Sequence, residues 1–309
     1  MKEAAARIAS VVPPTPLLPF ETDQGRIWLK CENLQPIGAF KLRGAYHRLA
    51  ALSAEERTKG VVAFSSGNHA QGVAWAARRL DMHAAIVMPS DAPKAKLGAT
   101  LALGAEVIAY DREAESREEI AAALAKEREA TLVPSFDDPW IVEGQGTAAL
   151  EAISQMEELA GGPPDSTVIC CGGGGLSAGS ALALPDVPIT IVEPEGWDDM
   201  ARSLAGGVIV PVGDNPPPTR CDALQTIRVA PITFDILHRH GARGVAVTEG
   251  EVAAAMRAAF SQTSLVVEPG GAVALAAVLA GKVQPSERTL VTLSGGNVDP
   301  AVFAEIICG

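Results

Sequence analysis

From Val61 onward the chain keeps one rhythm, a short apolar run followed by a turn of small and polar residues and then a longer amphipathic stretch. Val61–Phe64 precedes a helix expected from about Asn68 to Leu80. Ala84–Met88 precedes one from Pro93 to Leu103, and Glu106–Tyr110 one from about Ala114 to Glu129. Strands that are apolar on both faces and alternate with helices make a parallel sheet, because each helix carries the chain back over a face to start the next strand in the same direction. A second alternation comprises helix Trp140 to Leu159, strand Thr167–Cys171, a glycine run and strand Ile189–Val192. It continues with strand Gly244–Thr248, a helix entered through the capping box Thr248-Glu-Gly-Glu251, and strand Thr289–Leu293. A strand at Arg26–Glu32 and a capping box at Ser53-Ala-Glu-Glu56 lie ahead of the first series. The expected fold is α/β, with two open, mostly parallel sheet lobes and a cleft between them. Ligands in such sheets sit beyond the carboxyl ends of the strands.

Residues 1–25, proline-rich from Val11 to Pro19, read as an extended arm over the surface. Between about Gly206 and Pro231 the pattern dissolves into turn residues. The 309 residues are 48% hydrophobic with a formal charge of −12, which suffices for a sizeable core and opposes nucleic acid or anionic membrane as a partner. Five cysteines without C-x-x-C spacing indicate neither a disulfide framework nor a thiolate metal site. With no signal-peptide pattern and no spanning apolar run, the expected location is the cytoplasm.

The glycine- and serine-rich turns fall at strand ends. Ahead of them, Lys41 stands on the first turn of a helix behind Phe40. Packed there with little water, its amine would lose part of the solvation that keeps it protonated, as a Schiff-base nucleophile requires; an ordinary helix-surface lysine is the alternative. Ser65-Ser-Gly-Asn-His-Ala-Gln-Gly72 joins a strand to a helix, where amides and hydroxyls converge on an anion such as a carboxylate; a tight turn with an N-cap explains only part of it. Cys171-Gly-Gly-Gly-Gly-Leu-Ser177 lets the backbone close around a phosphate, and it lacks the lysine of a nucleotide P-loop. Ser294, at the carboxyl end of the last strand, offers a neutral hydroxyl that would leave a ring nitrogen unprotonated; alone, Leu293-Ser-Gly-Gly-Asn-Val-Asp299 is also a plain turn. Glu193 and Asp199 offer hard oxygens to Mg²⁺ or Ca²⁺, with a solvated acidic loop as the alternative.

Taken together, K-x-E-N-x-Q-x-x-G-A-F-K-x-R-G-A, S-S-G-N-H-A-Q-G, G-G-G-G-L and L-S-G-G-N-V-D resemble the fold type II (tryptophan synthase β-like) pyridoxal-phosphate enzymes, and within them the serine/threonine dehydratase and serine racemase family. The resemblance covers nearly the whole chain. It implies pyridoxal 5'-phosphate on Lys41, Phe40 beside its ring, Asn68 at its 3-hydroxyl, and Gly172, Gly173, Gly174 and Gly175 with Leu176 around its phosphate. Ser294 would face its nitrogen. Ser65, Ser66, Asn68 and His69 would meet the substrate, with Ser66 the candidate second acid of a racemase. Glu193, the Trp197 carbonyl and Asp199 match the family's divalent-cation loop. A homodimer is implied, with a large cofactor-binding domain from residues 1–50 and 138–309 and a small one from 51–137.

Departures stand beside these matches. Cys221-Asp-Ala223 replaces the usual Ala-Asp-Gly, and Val133-Pro-Ser135 stands where serine racemases carry an asparagine. The Glu-Pro-x-Gly pattern is kept at Glu268-Pro-Gly-Gly271. No regulatory domain is expected after Ile307. The expected activity is dehydration of a 3-hydroxy amino acid such as L-serine, L-threonine or 3-hydroxyaspartate to a 2-oxo acid and ammonia. Racemisation, replacement chemistry and a non-catalytic ligand-binding role remain as alternatives.

Overall fold

A computed structural model describes every residue except Pro93 and Glu113, so the expected helix start at Pro93 lies outside the described residues. The chain opens with helix α1 (Lys2–Ile8), then the hairpin of β1 (Leu17–Thr22) and β2 (Gly25–Cys31). Helices α2 (Lys41–Ala50) and α3 (Ala54–Lys59) lead into the first alternation. It runs β3 (Val61–Phe64), α4 (Asn68–Arg79), β4 (Ala84–Pro89), α5 (Lys94–Ala102), β5 (Glu106–Tyr110), α6 (Arg117–Glu127) and β6 (Thr131–Leu132). The long helix α7 (Pro139–Leu159) returns the chain to β7 (Ser166–Cys170), α8 (Gly175–Ala183), β8 (Ile189–Pro194) and α9 (Asp199–Gly206). The remainder is α10 (Pro231–His240), β9 (Arg243–Val247), α11 (Glu249–Thr263), α12 (Pro269–Leu279), β10 (Thr289–Leu293) and α13 (Pro300–Cys308).

Two sheets result. One has the order β1-β2-β10-β7-β8-β9, parallel except for the β1–β2 hairpin; the other is β5-β4-β3-β6, parallel throughout. The expected α/β class with two mostly parallel sheets is therefore the observed one. Both capping boxes form, with Ser53 and Thr248 accepting from the Glu56 and Glu251 amides and those carboxylates answering the cap amides.

The N-terminal expectation needs correction. Residues 1–25 are not a surface arm, since Lys2–Ile8 is helical and Leu17–Thr22 is an edge strand. At an edge, Pro19 removes no hydrogen bond that the sheet requires. Val12 and Thr15 are buried, and Thr15 bonds Glu32 through its hydroxyl and Lys30 through its carbonyl. Helices α10 and α12 are not legible in the sequence. Almost every residue of α12 is buried, so it shows no polar face from which a helical period could be read.

Helix α7 sets the spacing of the centre through glycines. A Cβ on Gly144 would lie 2.6 Å from the Gly44 Cα of α2, and one on Gly179 of α8 would lie 2.3 Å from the Val142 carbonyl oxygen of α7. Gln145 Oε1 also accepts from the Gly44 amide at 3.1 Å. The helix that begins at Lys41 and the helix that begins at the glycine run are thus both seated on one rod.

Candidate active site

Strands β2, β10 and β7 are adjacent and parallel, so their carboxyl ends lie side by side. The first leads towards Lys41, the second ends at Ser294 and the third runs into Gly172. The turn before Lys41 is pinned to the end of β10, for Phe40 N donates to Ser294 O at 3.1 Å and Gly296 N to Gly38 O at 2.8 Å. From the other sheet, the end of β3 supplies Ser65–Asn68 and the end of β6 supplies Val133–Phe136. Between these ends lies a chamber of about 790 Å³, lined among others by Lys41, Ser65, Ser66, Asn68 and His69. Phe40, Gly172–Gly175, Leu176 and Ser294 are not part of that lining, and they reach it through Lys41, which lies by the Phe40 ring, and Phe136, which lies against Gly173.

Lys41 is half-buried. Desolvation pushes its amine down to about 8, with Cys170 and Glu268 pulling the other way. Its Nζ sits 5.1 Å from the Phe40 ring centroid and donates to Ser135 O at 3.4 Å. His69 is buried, and its Nε2 donates to Val133 O at 2.9 Å. That bond places the proton on Nε2 and leaves Nδ1 an acceptor. Burial and the nearby Lys41 push this ring down to about 3, so it is neutral. Asn68 is held at both ends, donating to Glu268 Oε1 at 2.6 Å and accepting from Asn297 Nδ2 at 2.8 Å.

The glycine run is shaped by close approach. A Cβ on Gly173 would lie 2.1 Å from Cδ1 of Phe136, and Gly174 has φ of 86°, in the left-handed region. Thr233 Oγ1 donates to Gly173 O at 2.8 Å, and no side chain caps α8, so its first amides are free to receive an anion. Ser294 is 5% exposed, with its hydroxyl beside the Cys170 thiol, which burial raises to about 11.

The importance of Glu268 emerges only from the tertiary structure. It is 2% exposed, burial raises its carboxyl to about 7, and its Oε2 has no partner among the described residues. The Glu-Pro-Gly-Gly pattern is visible in the sequence, but nothing local ties it to Asn68 and Lys41. Phe136 and Thr233 carry no motif and give no sequence signal at all.

In the acidic loop, Glu193 and Asp199 are fully buried, and neither forms a salt bridge among the described residues. Glu193 accepts from the Met200 and Ala201 amides at 3.2 and 2.8 Å, and Asp199 Oδ2 accepts from Val229 N at 3.0 Å. Asp199 Oδ1 is unpartnered among the described residues. Burial holds Glu193 well above the usual carboxylate range and raises Asp199 to about 6. The Trp197 ring is fixed by Nε1 donating to Pro217 O at 2.8 Å. No group of three or more His, Cys, Asp or Glu forms a metal cluster among the described residues. Two hard carboxylates and a carbonyl would nevertheless suit Mg²⁺ or Ca²⁺, with waters completing the shell.

An amine whose pKa is lowered to about 8, a glycine cradle at a helix start and a buried hydroxyl at the end of β10 fit pyridoxal phosphate: amine for aldehyde, amides for phosphate, hydroxyl for ring nitrogen. Comparison with known proteins agrees. An L-threo-3-hydroxyaspartate ammonia-lyase from a Pseudomonas species is 41% identical, covering 99% of this chain and 97% of the relative. The crystal structure of a T.th. threonine deaminase superposes with a TM-score of 0.89 at 41% identity, over 96% of this chain and 97% of that one. Maize serine racemase superposes with a TM-score of 0.91 at 33% identity, over 98% and 94%. Residues 8–295 match the family described as pyridoxal-phosphate dependent enzyme. With that match spanning most of the chain and the lysine, glycine cradle and serine arrayed at three neighbouring strand ends, this chain belongs to the fold type II pyridoxal-phosphate dependent enzymes.

Proposed function

We propose that this enzyme eliminates water from a 3-hydroxy amino acid to release an enamine, which tautomerises to an imine and takes up water to give a 2-oxo acid and ammonia. The observation that carries the reading is Lys41, whose desolvated amine faces a chamber bordered by the Ser65–Asn68 loop. The names of the relatives, ammonia-lyase and deaminase, support it. When bound, pyridoxal phosphate supplies an aldehyde for the substrate amine and a conjugated ring that takes up the electron pair left at Cα.

The chain's own groups would do the remaining work. Lys41 is the base that takes the Cα proton, its low pKa keeping a usable fraction neutral near pH 7. Ser65, Asn68 and the first amides of α4 hold the substrate carboxylate and so fix the direction of the Cα–H bond. His69 braces that loop through Val133. Gly172–Gly175 and Leu176 would hold the phosphate, Phe40 would pack against the ring, and the neutral Ser294 hydroxyl would leave the ring nitrogen unprotonated. With its nitrogen unprotonated the ring would take up less of the charge at Cα, which would favour loss of a hydroxyl already in place, leaving as water with the proton Lys41 has taken, over reprotonation.

Racemisation is the second reading, favoured by Ser66, which lines the chamber and has no hydrogen-bond partner among the described residues. Product partitioning with L-serine and L-threonine decides between them. We expect 2-oxo acid to form faster than D-amino acid, and the reverse would overturn the dehydratase reading. Ser66→Ala should remove racemisation and keep some elimination. Borohydride reduction followed by mass spectrometry should find the cofactor on Lys41; another lysine would end the assignment.

Glu193, the Trp197 carbonyl and Asp199 are proposed to hold a divalent cation, supported by the unpartnered Asp199 oxygen. Residues 1–50 with 138–309 are proposed as the cofactor-binding domain and 51–137 as the small domain. The family resemblance supports a homodimer, and the free state of all five cysteines is in keeping with the cytoplasm.

A further inference from the structure

Helix α1 meets α2 and α7 through a charged relay outside the chamber. His47, less than two turns beyond Lys41 on α2, is fully buried. Its Nδ1 lies 3.1 Å from Arg7 Nη1 of α1, and its Nε2 lies 3.2 Å from Glu143 Oε2 of α7. A guanidinium can only donate and an ionised carboxylate can only accept, so the two neighbours fix one neutral tautomer: Nδ1 accepts from Arg7 and Nε2 donates to Glu143. Arg7 also lies over the Trp140 ring, 5.3 Å from its centroid, and the Trp140 and His47 rings are 5.3 Å apart. Glu143 is shared with the Met1 amino group at 2.7 Å, and Arg48, the next residue of α2, is taken by Asp138. Burial holds the His47 ring below its ordinary range; Arg7 and the Met1 amine act in the same direction, and Glu143 opposes them.

We infer that α1 is an acid-released clamp on the helix that carries Lys41: a proton taken from solvent onto His47 Nδ1 removes the acceptor that holds Arg7 and leaves two cations facing each other. The imidazolium keeps its bond to Glu143, so α2 and α7 stay joined. Arg7 is half-buried and can turn to water, so the junction opens at α1. Ile8 and Val12, which share one apolar core with Leu42 and Leu49 of α2, then lose part of their cover. Because the closed relay lowers the ring, the stabilisation it gives is complete above the ordinary histidine value of about 6.5 and is lost as pH falls from there towards the closed value. Glu143 is itself held below the usual carboxylate range, first by its bond to the Met1 amine, so it keeps its charge across this window.

Hydrogen exchange of the holoenzyme tests this, read by mass spectrometry on peptides from residues 2–12 and corrected for intrinsic rates, from about pH 7.5 down to about pH 5. One proton coupled to opening lowers protection by up to about tenfold per pH unit. Strand β4, whose every residue is buried, should show no such slope, because the event is local. His47→Gln keeps one acceptor and one donor without a titrating ring, and its protection should be flat. Arg7→Met, a change at a half-buried position, should lower protection at the upper pH and flatten the slope, because the imidazolium then faces no guanidinium. Should His47→Gln fail to fold, Arg7→Met decides alone. Constant protection of residues 2–12 in the wild type, a slope that survives in either variant, or a parallel loss in β4 would overturn the inference.

Discussion

Arg43, two residues beyond Lys41, is 1% exposed and bound to Glu32, which is 0% exposed. Its Nε and Nη2 reach Glu32 at 2.7 and 2.8 Å, and Nη2 reaches Glu151 at 3.0 Å. Lys30, also buried, pairs with Glu151, so two cations face two carboxylates beneath the Lys41 helix. Burial alone would raise Glu32, but the charge and hydrogen bonds of Arg43 overcome it and the carboxyl stays below its ordinary range. Arg43→Met removes three charge-assisted hydrogen bonds and leaves one negative charge unanswered. Three such bonds at about 1.5–3 kcal/mol each set an upper bound, and the relief from desolvating a guanidinium brings the expected loss to about 3–5 kcal/mol. Glu32→Gln with Arg43→Met restores charge balance, because Lys30 and Glu151 still match. The double variant should therefore be more stable than Arg43→Met alone. Urea unfolding of the three proteins at about pH 7.5 measures this, under the condition that one cooperative transition is seen. A single-variant loss below about 1 kcal/mol, or a double variant less stable than the single one, would refute the claim that unbalanced buried charge dominates here. Since Glu32 is depressed, its contribution is complete above the unfolded carboxylate pKa and fades as pH falls through the lower folded value.

Three further outcomes are expected. The Lys41 amine, at about 8, gains its neutral form as pH rises, so apo-protein should take up pyridoxal phosphate faster from about pH 7 to 9 and level off above; a flat rate by visible absorbance would contradict the assigned pKa. Gly179→Ala puts a methyl against the Val142 carbonyl and the Gly146 amide at 2.3 and 2.6 Å, which should cost about 1–3 kcal/mol and weaken cofactor retention, because the glycine run opens the same helix. Chelation of divalent cations should lower the melting temperature, and Glu193→Gln or Asp199→Asn should remove the response to added Mg²⁺ or Ca²⁺ in differential scanning calorimetry.

Much of this protein is decided locally. The apolar runs Val61–Phe64 and Ala84–Pro89, the capping boxes at Ser53 and Thr248, and the glycine run after Cys171 determine strands, helix starts and a phosphate-sized turn from a few neighbouring residues each. Periodicity, cap chemistry and the steric freedom of glycine act over one or two turns, which is why they are readable without a fold. What the sequence could not settle is which strands stand together. Only the order β2-β10-β7 brings the turn before Lys41, Ser294 and Gly172 to neighbouring ends, and it joins segments from both ends and the middle of the chain. The same holds for Glu268 meeting Asn68, for Lys96 meeting Asp222 and for α12, whose burial on all sides erases its period. Thr15, in a proline-rich stretch that reads as a surface arm, is buried because its hydroxyl and carbonyl complete the charge cluster of Lys30 and Glu32. These are pairings between distant segments, and their stability comes from sharing one desolvated interior, a quantity that exists only once the chain has closed around it.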